Sequence, residues 1–212
     1  MQTLDRMFVW IRNQAWLYRF TWVTRILLAA GFFPTGLVKL MGHRFTLLSV
    51  DNPVGAFFEA MYQTGLYWRF LGLSQMIAAL LLLIPRLSHL GAAFFLPIIL
   101  NIFVITVALP FRGTPVVTGL MLLAVTWLVV WDYHRFRALF FDTPMAQAVP
   151  MPKLTGAEKL AFWGCGLSLM AAFFSVRGFI ANQAVMASLA LGVVSVLYGL
   201  YSFFTRLKPH PS

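Results

Sequence analysis

Six long apolar segments follow one another along the chain, separated by short polar or charged stretches. Each is close to the ~20 residues that an α-helix needs to cross a bilayer. Backbone groups inside a bilayer must bond internally, which leaves helices or a closed barrel, and barrel strands are short and alternating. The pattern therefore predicts an all-α polytopic membrane protein with six spans, at residues 20–41, 66–84, 88–110, 114–131, 158–176 and 183–204.

A short amphipathic helix is predicted between the first two spans. Asn52 is a suitable N-cap, and Pro53 suits the first helical position. Apolar residues then repeat at helical spacing as far as Gly65, a residue type that commonly ends helices. We expect about ten helical residues lying against the bundle or the lipid, since a helix of that length cannot cross the membrane.

Breaks in composition predict the organisation of the chain. Residues 138–157 contain three prolines and a glycine and are typical of a linker. The first residues mix arginines with aromatics, which suits a helix in the headgroup layer or the first turns of a long first helix. The predicted regions are an amphipathic N-terminal arm (1–19), a four-helix membrane core (20–137), a cytoplasmic linker (138–157), a C-terminal transmembrane hairpin (158–204) and a basic tail (205–212).

The last span carries small residues at alternating steps of four and three. Small residues on one helix face allow close helix packing in membranes. The stripe could serve packing within the hairpin, docking of a partner, or a homo-oligomer formed through helices 158–204. It consists of Ser188, Gly192, Ser195, Gly199 and Ser202.

Composition supports a membrane location. The chain is 60% hydrophobic and 10% charged, with a mean hydropathy of +0.82, whereas soluble domains carry about 25% charged residues. A net charge of +10 would suggest nucleic acid for a soluble protein. Here basic residues flanking the spans explain it, because they fix orientation and meet anionic lipid headgroups. The predicted partner is the lipid bilayer, and no nucleic acid is expected.

The distribution of lysine and arginine predicts the orientation. If the N-terminus is inside, eleven of the sixteen basic residues lie on the inner side and five on the outer side. Positive residues favour the cytoplasmic side, so we expect a bacterial-type inner (plasma) membrane protein with both termini cytoplasmic. The five outer residues are Lys39, Arg44, Arg69, Arg112 and Arg177.

A polar stripe runs along the first span. Thr21, Arg25, Gly36 and Lys39 fall near one line of a helix, since steps of 4, 11 and 14 residues return to a similar angle. Arg25 and Lys39 lie near the ends and could snorkel to water. Alternatively, Lys39 points into the bundle and pairs with an acid, and Gly36 permits close helix approach.

Charged residues around Lys39 form the candidate ligand-binding site. Asp51 and Glu59 are the acids predicted on the outer side, and they face Lys39, Arg44 and Arg69. Such a set forms either a structural ion-pair network or an anion-preferring pocket. Two amides within the second and third spans complete the candidate set, because an amide in hydrocarbon requires a partner. These are Gln75 and Asn101, which we expect to bond each other.

Several chemistries lack their required residues. The chain has one cysteine, Cys165, so a thiol relay and a Cys-based metal site are not expected. Its histidines fall at or beyond span ends, which does not suit a membrane haem. We predict no catalytic residue, no metal site and no definite cofactor, although a quinone ring could be sheltered by the phenylalanine-rich spans. An enzymatic activity is therefore not assigned, and an accessory role is favoured.

Residues 20–137 resemble the DoxX-like integral membrane proteins. The resemblance rests on TRILLAAGFFPTGLVKLMG in the first span and LGLSQMIAALLLLIPR in the second, followed by two spans with a short turn. It implies a four-helix bundle core. Members are linked to thiosulfate:quinone oxidoreductase, membrane redox complexes and chaperone-like or cargo-receptor roles. They often carry an acid where this chain has Gln75, and those that handle thiols use paired cysteines, which are absent here.

Three functions follow as hypotheses. The first is an accessory membrane protein that binds a small amphipathic or anionic ligand, or a partner subunit, near Lys39. The second is the membrane subunit of a quinone-linked oxidoreductase, which requires a redox partner. The third is a small-molecule transporter, a class in which inverted repeats and broken helices are expected.

Overall fold

The computed structural model describes residues 2–137, 154–178 and 182–207. These residues form α-helices joined by short turns, and no strand occurs among them, so the all-α prediction is confirmed. The helices are α1 (Gln2–Asn13), α2 (Ala15–Leu40), α3 (Pro53–Gln63), α4 (Leu66–Leu83), α5 (Ser88–Ala108), α6 (Thr114–Trp131), α7 (Tyr133–Phe136), α8 (Gly156–Val176) and α9 (Asn182–Leu207).

Six of these helices are long and apolar enough to cross a membrane: α2, α4, α5, α6, α8 and the Ala184–Ser202 part of α9. They coincide with the six predicted spans. α2 begins earlier than expected, at Ala15, because residues 15–30 contain neither Gly nor Pro. Part of the segment predicted as an N-terminal arm therefore belongs to the first spanning helix, and α1 precedes it as a separate helix.

The predicted short helix is confirmed as α3. The Asn52 side chain accepts a hydrogen bond from the Val54 N–H at 2.9 Å, and Pro53 is the first helical residue. α3 ends at Gln63, and Gly65 follows with a positive φ of 58°. Because only glycine adopts this conformation without strain, Gly65 marks the sharp turn into α4.

The chain divides into two compact units. One, here called the Lys39 unit, comprises residues 31–144. The other, here called the hairpin unit, comprises residues 1–30 and 145–212. The domain boundaries that composition suggests remain a prediction, and residues 138–153 of the predicted linker and 208–212 of the predicted tail lie outside the described residues.

In the Lys39 unit, α4 packs on α5 and α5 packs on α6. The end of α2 crosses α4 at two glycines. A Cβ added to Gly36 would lie 2.7 Å from the Gly72 carbonyl oxygen, and one added to Gly72 would lie 2.5 Å from the Gly36 carbonyl oxygen. Only hydrogen at both positions permits this approach. Phe32 and Phe95 then meet edge to face, with ring centroids 4.3 Å apart.

In the hairpin unit, α8 and α9 form an antiparallel pair. The small-residue stripe of α9 lies against α8. Ser195 fills the space beside Gly164, and Ser168 fills the space beside Gly192. The Ser168 hydroxyl also donates to the Ser188 carbonyl oxygen. The structure therefore uses this stripe for packing within the hairpin, one of the three roles left open by its sequence.

Candidate functional site

The Lys39 side chain is buried at the end of α2, with 6% of its surface exposed. Its Nζ donates a hydrogen bond to Gln75 Oε1 on α4 at 3.0 Å. The Gly36–Gly72 crossing brings the two helices close enough for this bond. Lys39 therefore points into the protein, and the alternative that it snorkels to water is wrong.

Two aromatic rings also lie at the Lys39 ammonium. Its Nζ lies 4.3 Å from the ring centroid of Phe45 and 5.5 Å from that of Trp68. Aromatic faces attract a cation through their quadrupole, more strongly when water is excluded. Trp68 is 1% exposed, and its Nε1 is held by the His43 carbonyl oxygen at 2.9 Å. We call Gln75, Phe45 and Trp68 the Lys39 cage.

A tight turn after α2 places Phe45 over Lys39. Gly42 has a φ of 75°, its N–H bonds the Lys39 carbonyl, and the His43 N–H bonds the Val38 carbonyl, both at 3.0 Å. This is the Schellman pattern, in which a left-handed glycine closes the helix and reverses the chain. The next residues therefore run back across the end of α2, which puts the Phe45 ring at the ammonium.

Arg44 and Glu59 form a separate, exposed ion pair. Arg44 Nε donates to Glu59 Oε2 at 2.8 Å, and its second nitrogen donates to Oε1 at 2.9 Å. Gln63 also donates to Glu59, and the Arg44 guanidinium stacks over the Tyr62 ring at 4.5 Å. The hydrogen bonds from Arg44 and Gln63 lower the pKa of Glu59 to about 2. The bond to Glu59 raises the pKa of Arg44 above its ordinary value.

A cavity of about 340 Å³ lies between α3 and the preceding loop. The loop passes so close to α3 that a Cβ at Gly55 would clash with the Ser49 carbonyl oxygen. Arg44 and Glu59 line the cavity together with apolar side chains, and Phe45 is part of its wall. The Phe45 ring therefore borders this cavity and the Lys39 ammonium.

The predicted site residues separate into several groups. Lys39 and Gln75 come together, and so do Arg44 and Glu59. Asp51 accepts a bond from the Ser49 hydroxyl at 2.8 Å within the loop. The other predicted positions are peripheral: Arg69 is exposed with its guanidinium against Gly42, and Asn101 is exposed on α5.

The expected bond between Gln75 and Asn101 is wrong. Gln75 is bound by Lys39. The buried face of α5 includes Phe95 and Ile99. Asn101 lies two residues beyond Ile99, about 200° around the helix, and so faces away.

The two aromatic members of the cage were not predicted as site residues. For Trp68 a signal was present, because Trp68, Gly72 and Gln75 follow at steps of four and three and must share one face of α4. Phe45 lies outside any helix, so no helical spacing could have predicted its position, which depends on the turn at Gly42.

The hairpin unit contains a second cavity, of about 360 Å³, between α2, α8 and α9. Its lining is mostly apolar and includes Phe20, Phe162 and Cys165, and its charged lining residues are Arg19 and Glu158. Arg19 Nε donates to Glu158 Oε1 at 2.6 Å. Glu158 also caps α8 through the Thr155 N–H. The ion pair is therefore part of the cavity wall.

Six apolar spanning helices define a polytopic α-helical membrane protein, with a buried lysine at the end of its first span. The chain is 31% identical over 128 residues to the uncharacterised protein YwoB of Bacillus subtilis (strain 168), a match that covers 57% of this chain and 82% of that protein. The chain belongs to the same family as YwoB. No family model matches the chain, and no solved structure matches it.

Proposed function

We propose that this protein binds a small amphipathic anion, or the acidic group of a partner subunit, at the C-terminal end of α2, and that it has an accessory rather than enzymatic role. The observation that carries this proposal is the buried ammonium of Lys39, which the structure surrounds with an amide oxygen and two ring faces. A buried cation attracts an anion far more strongly than an exposed one, because water screens it less.

The neighbouring cavity supports an amphipathic ligand. Its volume of about 340 Å³ falls in the range of small-molecule sites, which are largely apolar with a few placed polar groups. Phe45 borders both the cavity and the ammonium. A change in the Phe45 rotamer would let the head of a ligand reach Lys39 while its tail stays among Leu47, Val50 and Phe58.

Binding of dodecanoate to the purified protein in nanodiscs tests this proposal. We expect Lys39→Met to weaken binding at least about tenfold, since removing one partner of a desolvated ionic contact is costly. Arg112→Met removes an exposed charge from the same unit and is the matched control. Equal dodecanoate affinity for wild type and Lys39→Met would show that the cage is purely structural.

The membrane setting is part of the same proposal. Membership of the DoxX-like proteins, location in a bacterial-type inner membrane and cytoplasmic termini are supported by the residue patterns at the span ends. A partner with a redox or other membrane function, or self-association through the outward faces of α8 and α9, would fit this setting. Single cysteines placed at Arg112 and Arg206 in a Cys165→Ala background test the orientation. We expect an impermeant label to reach residue 112 from the outer side and residue 206 from the cytoplasmic side, and the reverse pattern would contradict the orientation.

A quinone-linked subunit is the second candidate function, and the cavity of the hairpin unit favours it. An isoprenoid tail suits the apolar lining, and a quinone carbonyl is an acceptor for the Arg19 guanidinium. Val196→Phe would narrow the cavity, whereas Val193→Phe adds the same ring elsewhere on α9. A quinone in the lipid extract of wild type and of Val193→Phe, but reduced in Val196→Phe, supports this function. No quinone above background in the wild-type extract rejects it.

A further inference from the structure

One face of α5 is exposed along the whole helix. Its residues follow at steps of three and four, the spacing of a single helix face. All but one of these residues are apolar. The exposed positions are Leu90, Ala93, Phe94, Pro97, Leu100, Asn101, Val104, Val107 and Ala108.

Asn101 is the polar residue of this face, and it lies deep in the span. It is the fourteenth of the 21 residues of α5, so it is displaced from the helix midpoint by about 5 Å at 1.5 Å per residue. A helix of this length and hydropathy crosses the hydrocarbon. The Asn101 amide is therefore at a depth where water cannot satisfy it.

Several other polar side chains in the spans of the Lys39 unit have hydrogen-bond partners. Thr106 and Thr118 bond each other at 2.8 Å, and the exposed Thr126 bonds the Leu122 carbonyl of its own helix at 2.8 Å. The Asn101 side chain has no hydrogen bond within the described part of the chain. Leaving an amide unbonded in an apolar medium costs several kcal/mol by transfer measurements.

We propose that this face of α5 is covered by α5 of a second copy of the chain, and that the two Asn101 amides bond each other. An amide is both donor and acceptor, so two copies related by a twofold axis satisfy one another without any further group. The face carries no charged residue, so an identical apolar face with an identical amide is its complement. Ala93 and Pro97 have short side chains, which lets the two helices approach.

The strength of self-association in bilayers tests the role of Asn101. The fraction of two-step photobleaching events, measured over a range of protein-to-lipid ratios, gives the dissociation constant. We expect wild type to form dimers and Asn101→Leu to dissociate roughly tenfold more readily, in line with the 1–2 kcal/mol of interhelical amide bonds in model helices. Asn101→Gln keeps an amide and should recover part of the affinity.

Thr126→Val is the matched control, because it also removes an exposed polar group from a neighbouring span. Its dissociation constant should stay within about twofold of wild type, since Thr126 bonds its own helix. A wild type that is monomeric at every density overturns the proposal. So does an Asn101→Leu variant that dimerises as wild type does.

Disulfide crosslinking locates the interface independently of affinity. Cys165 is the only cysteine, so Cys165→Ala gives a cysteine-free background. In that background we expect Val104→Cys to crosslink two copies on mild oxidation, and Leu120→Cys, on the exposed face of α6, to remain uncrosslinked. Crosslinking at residue 120 but not at 104 would place the interface elsewhere and overturn the assignment to α5.

Discussion

Lys39 and Arg44 are two cations five residues apart in the sequence that are held in opposite ways. Lys39 is 6% exposed and bonds an amide oxygen beneath two aromatic rings. The Arg44 side chain is 54% exposed and makes a bidentate pair with a carboxylate. The buried cation contacts an amide oxygen and aromatic rings, whereas the exposed one contacts a carboxylate.

The burial of each cation determines how much its contacts contribute to stability. Exposed ion pairs contribute little to stability, because water screens the attraction and two long side chains must be ordered. A buried ammonium gains little over an apolar residue when satisfied but is costly when a partner is removed. Changes in the Lys39 cage should therefore have far larger effects than changes in the Arg44–Glu59 pair.

The largest effect on stability is expected at the Gly36–Gly72 crossing, which places Lys39 beside Gln75. The Cβ of Gly72→Val would lie within 2.6 Å of backbone atoms of Gly36 and Leu40, which cannot move aside independently. Overpacking of this kind costs about 1–3 kcal/mol, and rigid backbone neighbours place this site at the upper end. Unfolding by steric trapping in bicelles measures this cost. A loss below about 1 kcal/mol would show that α2 and α4 are not closely packed here.

The next largest effect is expected from removing the Lys39 acceptor. Gln75→Leu leaves the ammonium without its amide oxygen, and hydrogen bonds to charged groups are worth about 1.5–3 kcal/mol. Lys39→Met should be close to neutral or stabilising, so adding it to Gln75→Leu should restore stability. Unfolding free energies of the two single variants and the double variant form the cycle. Additive losses would mean that the two side chains act independently.

A smaller effect is expected from Glu59→Gln, which breaks the exposed pair. Thermal unfolding in detergent at low salt should show a slight loss, and the difference from wild type should vanish at 1 M salt, where the Debye length is about 3 Å. Asp51→Asn is the control, because it alters an acid in the loop before α3 that is outside the pair. A difference that persists at high salt would indicate packing rather than charge.

The smallest effect is expected from pH. The pKa of Glu59 is about 2 in the folded protein, against an ordinary value of 4.5. A depressed pKa stabilises the fold fully above pH 4.5, and this contribution is lost as the pH falls toward 2. The free energy of unfolding of wild type, measured relative to that of Glu59→Gln, should therefore decline only as the pH falls from about 4.5 to 2. A difference that declines instead above pH 5 would contradict this assignment.

Much of the fold follows from sequence, because spanning helices depend on local length and hydropathy. The six spans and the capped helix at Asn52 are of this kind. The Lys39 cage could not be predicted in this way. Gln75 is 36 residues away from Lys39 in the sequence, and the position of Phe45 depends on the turn at Gly42. The acids were expected near Lys39 by charge alone, but Glu59 meets Arg44, whose planar guanidinium matches a carboxylate bidentately. Charge patterning indicates which residues attract one another but does not determine which of them meet.

The separation of Lys39 from Gln75 also has a consequence for biosynthesis. At about 5–20 residues per second, the 36 residues between them take roughly 2–7 s to emerge from the ribosome. Throughout that interval α2 exists without Gln75, which accepts a hydrogen bond from Lys39 in the folded protein. The hydrogen bond from Lys39 to Gln75 therefore forms only after the second spanning helix, α4, has been made.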